Sequence, residues 1–144
     1  EVLTAYADEP LAEPIADVLT SEPGSIRTTA DLARVVRLVM PGRSGDEAAA
    51  TVRRVFQAIR IAVNDELGAL DALLRALPHC LRPGGRVAIL TFHSGEDRRV
   101  KHAFADGLRA GTYAEASRDV VRASLAERRA NPRAAAAKLR WARL

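Results

Sequence analysis

The chain has 144 residues, of which 48% are hydrophobic and 28% charged, and this composition indicates a globular domain and excludes a disordered or fibrous protein. Its single cysteine, Cys80, excludes an internal disulfide and a cysteine-rich zinc site, and the absence of a long apolar stretch or a signal peptide predicts a cytoplasmic protein without a membrane span. The net charge is +4, so the protein is not acidic overall. How this charge is distributed along the chain says more about possible partners.

Two short helices are predicted near the N-terminus. Apolar residues at helical spacing favour helices over residues 8–20 and 30–40. Ser25, Thr28 and Thr29 provide turn or capping residues, and a proline and two glycines then end this section.

A long amphipathic segment leads from there into an apolar strand. Apolar side chains recur every three or four positions over residues 46–77. This spacing predicts one long helix, or two helices broken near Gly68, because glycine costs about 1 kcal/mol in a helix interior. A Pro-Gly-Gly turn precedes the apolar run 86–92. Because the run lacks polar alternation, we expect a strand covered on both faces, as in a parallel α/β sheet rather than an antiparallel one.

A further helix and two weaker strand candidates complete the chain. Residues 96–108 have helical periodicity, with the acids Glu96 and Asp97 in the first turn, where the helix dipole favours negative charge. Residues 119–123 and 139–143 are strand candidates, separated by an Asn-Pro turn.

The C-terminal third is strongly basic. Residues 1–97 carry 10 basic and 14 acidic side chains, and residues 98–144 carry 12 basic and 4 acidic ones, so the net charges are −4 and +8. All but two of the 22 basic residues are arginines, whose guanidinium groups bind phosphate oxygens in pairs and stack on bases. The pattern favours an RNA or DNA partner, with a solvated face of an arginine-rich protein as the alternative.

Three segments occur in an order and spacing that point to a known family. They are FQAIRIAVNDEL (56–67), LRPGGRVAILTFHSGEDRRVK (81–101) and NPRAAAAKLR (131–140). In these segments the chain resembles the C-terminal part of the bacterial MraW or RsmH family, which methylates the exocyclic amine of a cytosine in 16S ribosomal RNA. The first residues, EVLTAYADEPL, resemble the start of that family's helical insertion, so the resemblance spans nearly the whole chain.

The resemblance implies a partial class I S-adenosylmethionine-methyltransferase fold, which is α/β and Rossmann-like. Residues 1–45 would be a remnant of the helical insertion, and residues 46–144 the C-terminal half of the α/β domain. The run 86–92 would be the fifth strand, paired on one side with a seventh strand at 139–143 and unpaired on the other because the fourth strand is missing. We expect such an apolar edge to be covered by a second copy of the chain or by the missing half.

The cofactor implied by the resemblance is S-adenosylmethionine, and its binding residues are unknown in this sequence. The family's glycine-rich loop and ribose-binding acid precede the insertion, and no equivalent loop occurs here. Because the loop and the acid are absent, we expect that the chain alone does not bind the cofactor. The chain also begins at Glu1 without an initiator methionine, so we expect a processed product or a piece of something longer. Within the family motifs, Gly95 replaces a leucine, and Ala135 and Ala136 replace an arginine and a serine.

The resemblance places His93 and Ser94 at the rim of the site, because ligands of such sheets lie beyond the carboxyl ends of the strands. With Asn64 they are candidate catalytic residues that could accept hydrogen bonds from the cytosine amine. A structural role is the alternative for each of them. His93 would cap the strand, and Asn64 would hold a loop. Ser94, for which we favour the structural role, would be the N-cap of the next helix, with Glu96 or Asp97 completing a capping box.

Basic residues close to this rim are candidates for binding RNA phosphates. They are Arg98, Arg99, Lys101, Arg133, Lys138 and Arg140. The histidines and the cysteine show no metal-ligand spacing, so no metal site is predicted.

The resemblance implies a segment of an S-adenosylmethionine-dependent rRNA cytosine N4-methyltransferase that is active only when the missing cofactor-binding half is supplied. Its expected partners are ribosomal RNA or the small ribosomal subunit, and either a second copy of the chain or the complementing half. The alternative is a non-catalytic RNA-binding or interaction module derived from the same family, for which the alanines at positions 50, 135 and 136 argue.

Overall fold

The computed structural model describes residues 1–21, 24 and 26–144, and the predicted capping residue Ser25 lies outside them. The helices are α1 (Val2–Ala7), α2 (Ala12–Ser21), α3 (Thr29–Leu38), α4 (Gly45–Asn64), α5 (Glu66–Cys80), α6 (Ser94–Arg109) and α7 (Leu125–Ala130), and a 3₁₀ helix spans Pro132–Ala136. The strands are β1 (Arg86–Thr91), β2 (Glu115–Ala116) and β3 (Lys138–Arg143). None of the described helices is both long and apolar enough to cross a lipid bilayer.

The contacts divide the chain into two compact units, Glu1–Glu66 and Leu67–Leu144. This division describes packing. Residues 1–45 are predicted to be an insertion remnant and residues 46–144 a methyltransferase half. That assignment concerns the relation to a family, and it stays a prediction.

The first unit is helical and has its own apolar core. Its fully or nearly fully buried residues include Ile15, Val36 and Val55, which come from α2, α3 and α4. The predicted helix over residues 8–20 begins later, at Ala12, because Asp8 adopts the left-handed conformation with φ of 46° and ends the separate helix α1. The predicted second helix is confirmed as α3.

The long segment predicted over residues 46–77 forms two helices, but they do not break at Gly68. The break is at Asp65, whose φ of 49° and ψ of 42° are left-handed and whose N–H donates to the carbonyl of Ile61. Aspartate is one of the few residues besides glycine that visits this conformation readily. Gly68 therefore lies inside α5, where the helix continues through it.

The second unit places a three-stranded sheet against α5 and α6. The strand order is β1-β3-β2, and both pairs are antiparallel. Val100 and Phe104 of α6 pack with Leu74 of α5 and Ala142 of β3 in the core of this unit. The Phe104 ring meets Tyr113 edge to face, with centroids 5.6 Å apart.

Two expectations about the strands are confirmed, and two are wrong. Residues 86–91 form a strand, and it pairs with 138–143, from Arg86 opposite Arg143 to Thr91 opposite Lys138. The described residues contain no parallel pair, because β3 returns antiparallel to β1. Residues 119–123 do not form a strand and make only the isolated bridge between Val121 and Leu139.

The sheet is also covered on one face rather than on two. Along β1, exposure alternates: Val87 and Ile89 turn toward the core formed with α5 and α6, whereas Ala88 and Leu90 are exposed. The expectation of burial on both faces is therefore wrong for the chain as it stands. The apolar residues on the uncovered face explain why the sequence has no polar alternation.

Candidate functional site

The chain leaves β1 through Phe92 and His93, and this junction is held by a reciprocal cap. The N–H of Glu96 donates to Nδ1 of His93 at 3.4 Å. The Glu96 carboxylate accepts from the N–H groups of Phe92 at 2.9 Å and His93 at 3.3 Å. His93 is therefore the N-cap of α6. The prediction that Ser94 is the N-cap is wrong, because Ser94 is already the first helical residue.

Packing fixes the His93 ring at this junction. Its side chain is 12% exposed, and Nε2 lies 3.3 Å from Oε1 of Glu96. A Cβ at Gly95 would lie 3.2 Å from Nδ1, so a larger residue there would press on the ring. Ser94 is exposed. Of these two predicted catalytic residues, His93 holds the turn and Ser94 presents a free surface.

A buried ion pair ties the first turn of α6 to β3. Asp97 accepts a hydrogen bond from Nε of Arg140 at 2.7 Å and lies 3.5 Å from Nζ of Lys138. The side chains of Asp97 and Arg140 are only 15% and 8% exposed. Burial raises the pKa of Asp97, but the hydrogen bonds and charges of Arg140 and Lys138 lower it by more, so this pKa lies below its ordinary value. The pair fixes the start of β3 against the junction that carries His93.

An open pocket of about 480 Å³ lies beside the carboxyl end of β1. Its apolar lining includes Leu90, Phe92 and Leu139, and its polar lining includes Arg122, Glu127 and Arg133. Phe92 is 55% exposed. Apolar surface beside two guanidinium groups and a carboxylate is suited to a planar group that carries an anion.

The predicted phosphate-binding residues fall into two groups. Three are exposed: Arg98, Lys101 and Arg133. Three make ion pairs with acids of the second unit: Arg99, Lys138 and Arg140. For Arg99, Nε lies 3.1 Å from Oδ2 of Asp71. The RNA-binding role of all six stays a prediction.

The third predicted catalytic residue, Asn64, belongs to the first unit. It is the exposed last residue of α4, and its Nδ2 donates to Oε1 of Glu66 at 3.1 Å. The same carboxylate accepts two hydrogen bonds from Arg60, at 2.8 and 2.9 Å. These contacts join residues on either side of Asp65, whose backbone is in the left-handed conformation. They agree with the alternative in which Asn64 holds a turn, and its catalytic role stays a prediction.

The glycines of the described residues do not form a cradle for S-adenosylmethionine. Gly84, at φ of +75°, and Gly85 form the turn before β1, and their N–H groups donate to the carbonyls of Leu144 and Arg82. Backbone donors that are already used within the turn are not available to a ligand. Among the described residues, the Gly84-Gly85 turn therefore does not fit the cofactor as a glycine-rich loop. Nor do the described residues bring three His, Cys, Asp or Glu side chains together as a metal site.

Several residues of this region were not identified from the sequence. Phe92, Arg122 and Glu127 were not singled out, and Asp97 was interpreted only as an acid favoured by the helix dipole. One signal was available for Asp97. A cation such as Arg140 within a strand needs an acidic partner if the strand is buried.

The whole chain, residues 1–144, matches the family model of the MraW methylase family. It is 46% identical to ribosomal RNA small subunit methyltransferase H 1 of Lachnoclostridium phytofermentans, over 98% of this chain and 40% of that protein. It is 43% identical to the protein of the same name from Agathobacter rectalis, over 98% of this chain and 42% of that protein. It is 42% identical to ribosomal RNA small subunit methyltransferase H of Symbiobacterium thermophilum, over 96% of this chain and 49% of that protein. The chain thus spans less than half the length of each of these relatives.

Proposed function

Because this chain belongs to the MraW methylase family, we propose that it is the C-terminal part of an S-adenosylmethionine-dependent rRNA methyltransferase that acts on the N4 amine of a cytosine. The names of its relatives support an rRNA of the small subunit as the substrate. Such a substrate would place the protein in the cytoplasm. Since the chain spans 40–49% of these relatives, the activity belongs to a longer protein or to a complex with the complementary part.

In this proposal the sheet is part of a class I methyltransferase fold, with β1 as its fifth strand and β3 as its seventh. Residues 1–45 correspond to the helical insertion. The proposal rests above all on the arginine-bordered pocket at the carboxyl end of β1, because ligands of doubly wound sheets lie beyond the carboxyl ends of the strands.

The bound cofactor would supply an electrophilic methyl group, and it would be held by the part of the protein that this chain lacks. The residues of this chain would bind and orient the RNA. Ser94, exposed at the start of α6, would accept a hydrogen bond from the target amine. His93 would act through the turn, because its contacts with Glu96 keep the start of α6 fixed beside β1.

The chain alone is expected not to bind S-adenosylmethionine. The reason is the lack of a free glycine cradle in the described residues. Isothermal titration of the chain with the cofactor should give no stoichiometric heat, and a full-length relative titrated in the same buffer serves as the positive control. A micromolar site with one ligand per chain would contradict this expectation.

The chain is expected to bind single-stranded RNA mainly through phosphates, so its affinity should fall steeply with salt. On a double-logarithmic plot the slope should be about −0.7 for each phosphate contacted. Replacing Arg98, Arg99 and Arg133 together by alanine should weaken binding and flatten this slope. Fluorescence anisotropy over a salt series measures both quantities.

The matched control for that triple variant removes three exposed arginines from the first unit: Arg37, Arg43 and Arg53. This control variant changes the net charge by the same amount. The slope of its RNA affinity against salt concentration should equal that of the unchanged chain. If the two triple variants bind RNA equally well, the second unit is not the RNA-binding part.

The non-catalytic alternative is favoured by one observation. Ala135 and Ala136 are exposed on the 3₁₀ helix, where the family motif has an arginine and a serine, so this surface offers no side-chain hydrogen bonds at those positions. Mixing the chain with the complementary part of a relative and measuring methyl transfer to small-subunit rRNA separates the two functions. RNA binding without methyl transfer in the mixture would favour the binding module.

A further inference from the structure

We propose that a cleft between α5 and α6 is a second RNA-binding site, which binds phosphate groups on the side of the sheet opposite to the pocket. The cleft has a volume of about 390 Å³, and the basic residues of its lining are Arg75, Arg99 and His102. Arg75 and His102 are not among the six residues predicted from the sequence to bind RNA phosphates. This inference rests on the proposed function, because it adds a place at which the RNA would be held.

The cleft lies on the helical side of the second unit. Leu74, which belongs to its lining, packs in the core toward which Val87 and Ile89 of β1 turn. The pocket at the carboxyl end of β1 is lined instead by Leu90, which is exposed on the uncovered face. Because alternate residues of a strand point to opposite faces, the cleft and the pocket lie on opposite sides of the sheet. RNA bound at the cleft is therefore a different stretch from RNA bound at the pocket.

Arg99 is oriented in the cleft by an acid of the neighbouring helix. Its Nε lies 3.1 Å from Oδ2 of Asp71, and the two side chains are 36% and 39% exposed. The two terminal nitrogens of this guanidinium donate to no acceptor in the described part of the chain. An arginine held in this way presents donors that match two oxygens of a phosphate group.

Arg75 and His102 add donors that the chain does not neutralise. Both side chains are exposed, and neither makes an ion pair with an acid that the structure describes. His102 follows Arg99 by three positions on α6, so these two side chains lie on the same face of the helix. Arg75 approaches from α5, on the other side of the cleft.

The remaining features of the cleft favour a phosphate backbone over a protein segment. The acids in the first turn of α6 are engaged elsewhere: Glu96 accepts backbone N–H groups at the junction after β1, and Asp97 pairs with two cations of β3. Leu74 is only 7% exposed, so the cleft offers little apolar surface. A protein segment binds mainly through buried apolar or aromatic anchors, whereas a phosphate backbone needs cations and donors.

The first test removes the acid that partly neutralises the cleft. Asp71→Asn keeps an oxygen that can accept from Nε of Arg99 but leaves the charge of Arg99 uncompensated. The affinity of the 144-residue chain for a labelled single-stranded RNA of mixed sequence should therefore rise by about two- to fivefold at low salt. The matched control is Asp106→Asn, which removes the exposed acid paired with Arg109 on α6, outside the lining of the cleft, and should change the affinity less. Fluorescence anisotropy measures both affinities.

The second test removes a cation from the cleft. Arg75→Ala should weaken RNA binding and flatten the double-logarithmic salt dependence by about 0.7, the contribution of one phosphate. Arg82→Ala removes an exposed arginine from the turn before β1 and should leave this slope unchanged. When Arg75→Ala is combined with Arg133→Ala in the pocket, the two losses of affinity should multiply, because the two sites lie on opposite sides of the sheet.

The fluorescence of Trp141 verifies that each variant is folded. If the unchanged chain binds no RNA, the proposed function itself fails. If it binds RNA but Asp71→Asn and Arg75→Ala behave like their controls, the cleft proposal is overturned while the proposed function stands. A polyglutamate peptide of the same net charge as the RNA is the competing anion. If this peptide binds as tightly as the RNA and is weakened as much by Arg75→Ala, the cleft receives acidic proteins, which also overturns the proposal.

Discussion

Replacing Asp97 by alanine is expected to destabilise the second unit by about 3–5 kcal/mol, because removing one partner of a buried ion pair leaves the other charge uncompensated. The charge left behind would be that of Arg140, whose side chain is 8% exposed and whose Nε lies 2.7 Å from the Asp97 carboxylate. Lys138, 3.5 Å from the same carboxylate, would lose its partner as well. The effect is large because a single carboxylate pairs with two of the three cations of β3.

The free energy of unfolding can be measured by urea denaturation followed through the fluorescence of Trp141, the only tryptophan, which lies on β3 next to Arg140. The matched control is Asp106→Ala, also on α6. Its ion pair with Arg109 is exposed, with side-chain exposures of 62% and 79%, so the change should be at most about 1 kcal/mol. The double variant Asp97→Ala, Arg140→Met should regain much of the loss, since it removes the uncompensated charge. Equal losses in the two single variants would contradict the expectation.

The same pair gives the unchanged chain an acid-dependent stability. The pKa of Asp97 in the folded chain lies below its ordinary value of 3.8. A carboxylate of this kind contributes stability at pH values above its unfolded pKa, and the contribution is lost as the pH falls through the folded pKa. Below about pH 4, the unchanged chain should therefore lose the advantage that it has over Asp97→Ala at neutral pH.

Placing a charge on the free edge of β1 is expected to convert an associating chain into a monomer. In the described residues, β1 pairs with β3 on one side and with no strand on the other. Natural sheets protect such edges with lysine, proline or a covering segment. Residues 86–91 carry only Arg86 as a charge, at the start of the strand. We therefore expect the isolated chain to pair through this edge with a second copy.

The backbone bonds of β3 show which groups of β1 face that edge. Leu139 exchanges two hydrogen bonds of 2.9 Å with Val121, and the Trp141 carbonyl accepts from the N–H of Ser117, so both residues bond away from β1. Their partners in register are Leu90 and Ala88. In an antiparallel ladder the bonding direction alternates, so the N–H and C=O groups of Ala88 and Leu90 point to the free edge.

Sedimentation velocity at low micromolar concentration should show the unchanged chain as a species larger than 15.5 kDa. Leu90→Lys, at an exposed edge position, should shift it to the monomer, whereas Leu125→Lys makes the same chemical change on α7 and should not. In a full-length relative, hydrogen exchange of the strand equivalent to residues 87–91 should be slow. A clean 15.5 kDa species with fast exchange at this strand would show an exposed and tolerated edge.

Local patterns gave correct predictions where the structure depends on neighbouring residues. Thr28 is the N-cap of α3 and forms a capping box with Asp31, three residues away, and α6 follows the apolar spacing of Val100 and Phe104. The family segments also predicted that residues 139–143 pair with β1. The N-cap of α6 was assigned one residue too late, because His93 was not considered as a capping acceptor, although its Nδ1 can accept a backbone N–H.

The sequence by itself determined the family, the helical first part, the apolar strand and the basic C-terminal third, because these depend on composition, on motifs and on spacings of a few residues. Only the tertiary structure decided the ion pair of Asp97 and the place of Phe92 in the lining of a pocket. Asp97 meets Arg140 across 43 positions of the chain, and the pocket joins the end of β1 to residues of α7 and the 3₁₀ helix. Such contacts depend on how distant elements pack and on which groups lose water there, and no local spacing specifies either.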